Sequence, residues 1–148
     1  VYRAIVVGTD GSDTAGKAVE EAVRLAEAFD APLHVVSAYR TTAATSAASA
    51  EFGMGAVLLG DWLLDARSKV ESRLESVARQ LGGRGVKTTV HALAGNPVDA
   101  ILKVAADTDA DLVVVGSKGM NGARRVLGSV PNSVAHKASC TVLVVKTC

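Results

Sequence analysis

At 148 residues the chain has room for one domain with a real core, and a hydrophobic fraction of 49% beside 21% charged residues fits a globular protein. Aromatics at 3% are too few for a base-stacking platform, so a single-stranded nucleic-acid surface is excluded and the core must be built from Val, Leu, Ile and Ala. A net charge of +1 supplies no bulk attraction to nucleic acid or to a membrane surface. There is no run of about 18 apolar residues to cross a membrane, and the opening VYRAIVVGTD lacks the charged leader and long apolar core of a signal peptide. The expected location is the cytoplasm.

The run from Ala4 to Val7, closed by Gly8, Thr9 and Asp10, predicts a buried parallel strand. Ser12 then offers a helix N-cap, and Val19, Ala22, Val23, Ala26 and Phe29 recur at helical spacing with Glu20, Glu21, Arg24 and Glu27 turned to water. Pro32 to Ala38 is a second strand. From about Arg40 to Gly55 the composition changes to Ser, Thr, Ala and Gly without periodicity, which predicts a surface loop. The helix after it carries Leu63, Ala66, Val70, Leu74, Val77 and Leu81 on one stripe, ends at Gly82-Gly83, and has Trp62 packed near its start. Lys87 to Ala92 alternates as a half-exposed strand. Asn96-Pro97 is a cap followed by proline at the first helical position, with Val98, Ile101, Leu102 and Ala105 as the buried face. Asp111 to Gly116 is a fourth strand, Ser129 to Ala138 a fourth helix and Thr141 to Val145 a fifth strand.

Strands that alternate with helices run parallel, so the fold class is α/β: an open, doubly wound five-stranded sheet in the order 3-2-1-4-5, spanning 1–148 as one domain. Ligands of such sheets sit at the carboxyl ends of the strands where the winding reverses. Gly8-Thr9-Asp10-Gly11-Ser12 after the first strand and Gly116-Ser117-Lys118-Gly119 after the fourth both lie there and point to one cleft. Glycines allow backbone amides close to a ligand. Gly128-Ser129 opens a helix whose unpaired N–H groups form an anion site, and Ser129 either caps that helix or donates to a phosphate oxygen. Lys118, Arg124 and Arg125 lie between the two amide clusters.

Other motifs lead elsewhere. Residues 11–18, GSDTAGKA, nearly fit a P-loop, but Ala18 has no hydroxyl for magnesium and Asp13 would stand among the phosphates. A helix starting near Ser12 explains the segment better. His34, His91 and His136 take structural or solvated roles, and no His or Cys spacing suggests a metal. Cys140 reads as a buried small hydrophobe, Cys148 as frayed. No G-x-S-x-G nucleophile elbow is present.

Over nearly its whole length the chain resembles the universal stress protein family. The resemblance rests on IVVGTDGS, on Gly95-Asn96-Pro97, on ADLVVVGSKG and on LGSVPNSVAHKASCTVLVV. Nucleotide-binding members carry G-x-x-G, nine residues, then G-[S/T]. Here Gly116 and Gly119 are followed by residues 120–127 and then Gly128-Ser129, an interval one residue short. The resemblance implies that Asp10 approaches the adenosine, with Gly8 and Thr9 lining the adenine pocket and Ala38 as an apolar contact. It places Gly116 and Gly119 at the ribose and phosphates, Gly128, Ser129 and Val130 at the phosphate-binding helix start, and Val115 among the nucleotide-binding residues. It also implies a homodimer through the fifth strand. Read from the residues alone, Asp10 remains equally a turn former.

The implied function is a regulatory protein of the stress response that binds ATP, with magnesium accompanying it. Cyclic AMP is the alternative ligand. A slow ATP hydrolase would need a base, for which Asp10 and Asp13 are the only nearby carboxylates. A third alternative is an interaction module without nucleotide, working through the dimer surface and the 40–55 loop.

Overall fold

A computed structural model of the chain describes residues 1–39, 55–117 and 128–147. Five strands, β1 (Ile5–Gly8), β2 (Leu33–Tyr39), β3 (Thr88–Ala94), β4 (Leu112–Gly116) and β5 (Thr141–Val145), form one parallel sheet in the order β3-β2-β1-β4-β5. Four helices connect them: α1 (Asp13–Phe29), α2 (Gly55–Gly82), α3 (Pro97–Asp107) and α4 (Ser129–Lys137). This is the doubly wound order expected from the chain pattern.

Each strand divides its side chains between two cores because successive residues point to opposite faces. Ile5, Val7, Leu33, Val35, Leu112 and Val114 pack under α1 and α2. Val6, Val36, Val113 and Val115 pack under α3 and α4. The central strand is therefore apolar at every position, as a strand covered on both faces must be.

The helix starts follow their local chemistry. Ser12 Oγ accepts from the Ala15 amide at 3.2 Å, and Asn96 Oδ1 accepts from the Val98 amide at 2.7 Å with Pro97 in the first turn. Residues 11–18 are thus a capped helix start, not a phosphate-cradling loop: the Gly16 amide bonds the Ser12 carbonyl at 3.1 Å. The predicted stripe of α1 needs correcting at its ends. Its buried row is Ala18, Ala22, Val23 and Ala26, small side chains that let the helix approach the sheet closely. Val19 is only half-buried, and Phe29, in the last turn, is 36% exposed with its ring edge-on to Tyr2. On α2 the stripe holds at Val70, Leu74 and Leu81. The side chain of Trp62, the 40–54 part of the expected loop and Cys148 lie outside the described residues.

Two of the histidines take the structural role expected of them, as a pair. His34 and His91 meet across β2 and β3, Nδ1 to Nε2 at 3.0 Å, so one imidazole donates to the other. Burial lowers both below the ordinary 6.5; the charge of His91 lowers His34 further, and Asp107 opposes the shift at His91. Just below that value the unfolded chain binds more protons than the folded one. The pair's contribution to stability is whole above the unfolded value of 6.5 and is lost as pH falls through it towards the lower folded values. The urea midpoint should drop between neutral and mildly acid pH, and His91→Gln should flatten that drop. An identical slope in the variant would refute the assignment.

Candidate functional site

Two neighbouring strands create the opening. After β1 the chain crosses to the face covered by α1, and after β4 it crosses to the face covered by α4. The two helices lie on opposite faces of the sheet, and the carboxyl ends of β1 and β4 are left beside a crevice, the usual ligand position in such sheets. A cleft of about 310 Å³ lies there, which is at the small end of the range for ligand pockets.

One arm of the cleft is the turn from Thr9 to Ser12. The Thr9 amide continues the β-ladder by donating to the Val36 carbonyl at 2.9 Å, and Thr9 Oγ1 accepts from the Gly11 amide at 3.1 Å. Asp10 Oδ1 accepts from the Ser12 amide at 2.9 Å and from Ser12 Oγ. The turn-forming role of Asp10 is therefore real, and it holds the exposed residue at the cleft rim. Gly11 has φ of +80°, a conformation that favours glycine. Arg73 of α2 lies over this turn and donates from Nη1 to the Asp10 carbonyl at 2.9 Å. A side chain at position 11 would run into that guanidinium.

The wall behind the turn is apolar: Val36 and Ala38 from β2, Ile101 from α3 and Val115 from β4. Gly8 belongs here for want of space, since a Cβ on it would stand 2.5 Å from Ile101 Cδ1.

The other arm is the start of α4. Gly128, not Ser129, occupies the N-cap, and it has no side chain with which to accept from the first turn. Ser129 is the first helical residue, so its expected alternative role as the cap is overturned. Pro131 has no N–H, which leaves the Ser129 and Val130 amides as the donors of the first turn, and both residues line the cleft. With the positive end of the helix dipole, this arm favours a negative group.

Of the residues singled out by sequence, Gly8, Thr9, Asp10, Ala38, Val115, Gly116, Ser129 and Val130 line one cleft. Gly128 stands behind it, its amide donating to the Ser117 carbonyl at 3.4 Å. Gly119, Lys118, Arg124 and Arg125 lie outside the described residues. Sequence reasoning missed several lining residues, among them Val36, Ile101 and Thr147. Val36 stands two residues before Ala38 on the same strand face, and Ile101 one helical turn beyond the Asn96-Pro97 start; both were legible as core but not as cleft. Thr147 carried no signal. Among the described residues no group of three or more His, Cys, Asp or Glu side chains could hold a metal. None of the described helices is long and apolar enough to cross a membrane.

Comparison with known proteins agrees with the fold. A universal stress protein of Mycobacterium tuberculosis strain H37Rv is 36% identical over 150 residues, covering 99% of this chain and 97% of its own. A solved universal stress protein in complex with cAMP is 31% identical, with a TM-score of 0.73 over 99% of this chain and 98% of its own. The fold alone is shared with universal stress protein UspA from Lactobacillus plantarum, at 24% identity and a TM-score of 0.78 over 97% of each chain. The profile of the Universal stress protein family matches residues 1–146, and with the sheet order and the near full-length relatives it establishes that the chain belongs to that family.

Proposed function

We propose that the chain is a regulatory stress-response protein that binds an adenine nucleotide in the cleft between Asp10 and Ser129. The observation that carries this reading is the cleft's polarity. Val36, Ala38, Ile101 and Val115 offer an apolar wall suited to a base, and the Ser129 and Val130 amides offer an anion site opposite. The glycine pattern of residues 116–129 favours ATP, with Gly116 and Gly119 at the ribose and phosphates. Cyclic AMP is the second reading, favoured by the relative solved in complex with that ligand. Magnesium would enter with the polyphosphate. The partner we propose is a second copy of the chain, paired through β5. That strand is at the sheet edge, with β4 on one side and half-buried Val142 to Val145 along it. Such a protein would work in the cytoplasm, as a single domain.

Ser129→Glu tests the site because its two effects have opposite signs. A carboxylate in the first turn of α4 favours the helix by about 0.3–1 kcal/mol, so the thermal midpoint should hold or rise. The same charge should weaken ATP on the order of tenfold or more through repulsion of the phosphates. Equilibrium dialysis with ATP and cyclic AMP in competition reads both affinity and preference. Failure of the unaltered chain to bind either at millimolar concentration, or equal binding by the variant, would refute the proposal.

A further inference from the structure

The two arms of the cleft are tied to each other by the segment that follows β5. Thr147 is 2% exposed, and with Ser37 it makes up the buried polar residues among those described. It lines the cleft. Its amide donates to Ser117 Oγ at 3.1 Å, and its Oγ1 lies 3.3 Å from the same oxygen. Its carbonyl accepts from Lys17 Nζ at 3.2 Å. Ser117 is held on two further sides: its amide donates to the Val145 carbonyl at 2.8 Å, and its own carbonyl accepts from the Gly128 amide at 3.4 Å.

These bonds form a continuous line. It starts on α1, in the helix that Ser12 caps, and runs through Thr147 to Ser117 at the end of β4. It finishes at Gly128, the cap of α4. Lys17 and Thr147 are 130 residues apart in sequence, Ser117 and Thr147 30 apart. The exposed Lys17 side chain reaches across to one carbonyl, and the buried Thr147 has its polar groups paired inside the wall.

We propose that Lys17, Thr147 and Ser117 form a positioning relay that sets the Ser129 and Val130 amides relative to the Asp10 turn. None of the three needs to touch the ligand. The relay acts on the anionic part of the nucleotide, because it ends on the helix that receives that part; the apolar wall at Val36 and Ala38 is built by β2 without it. This inference rests on the nucleotide-binding reading.

The test compares ATP with adenosine, which lacks phosphate, on the full chain and three variants. Lys17→Met and Ser117→Ala should each weaken ATP by about three- to tenfold, the scale of one lost hydrogen bond, while adenosine affinity stays within about twofold. Ser117→Thr keeps the hydroxyl and should restore ATP binding. Lys17 is exposed on α1, so its methionine variant folds and carries the test if Ser117→Ala does not. Unchanged ATP affinity in Lys17→Met, or equal losses for ATP and adenosine, would overturn the relay alone. Absence of nucleotide binding in the unaltered chain would instead overturn the reading beneath it.

Discussion

Gly8→Ala should destabilise the fold, and Ile101→Val should remove most of that penalty. Alanine suits a strand better than glycine by about 0.5–1 kcal/mol, so without crowding the substitution would help. The added Cβ, however, stands 2.5 Å from Ile101 Cδ1 and 3.1 Å from its Cγ1, inside a core where Ile101 is only 4% exposed. Overpacking of this kind costs about 1–3 kcal/mol, so the clash wins over the propensity gain. Ile101→Val deletes the offending methyl, at a cost of about 0.5–1.5 kcal/mol on its own. Made in the valine background, Gly8→Ala should therefore be nearly neutral. Urea unfolding of the two single variants and the double variant gives the coupling directly. Additive losses would mean that the space at Gly8 is not limited by Ile101.

Leu74→Ala should have the larger effect on stability, about 2–5 kcal/mol. Leu74 is 2% exposed, and with Val70 and Leu81 it forms the buried stripe by which α2 joins the α1 face of the sheet. Loss on that scale is a large fraction, at least about an eighth, of the total stability of about 5–15 kcal/mol typical of a domain. The same helix carries Arg73 to the Asp10 turn, so loosening it should also reach the cleft. Chemical unfolding checks the size; a loss below about 1 kcal/mol would place α2 outside the cooperative core.

Much of this was legible before the structure, for local reasons. The β-branched runs of β1 and β4 carry their own burial signal, and Ser12 and Asn96 cap helices through atoms two or three residues away. The cleft was found because its glycines and turn residues sit at strand ends. What was not legible depends on distance. Nothing near Thr147 announces Ser117 or Lys17, and His34 and His91 read singly as isolated side chains until β2 and β3 are paired. The swap of Ser129 for Gly128 at the cap of α4 is subtler: serine is the better cap by side chain, but the backbone places it one position inside the helix, where it faces the cleft.

Val36, Ile101 and Val115 belong at once to the core under α3 and α4 and to the lining of the cleft. Folding and occupancy therefore share the same atoms. A ligand seated there binds the folded chain and not the unfolded one, adding about 2.7 kcal/mol at a hundred times its dissociation constant. In a chain built in this way, occupancy of the cleft would also lower the population open to proteolysis, so bound ligand would protect the protein that holds it.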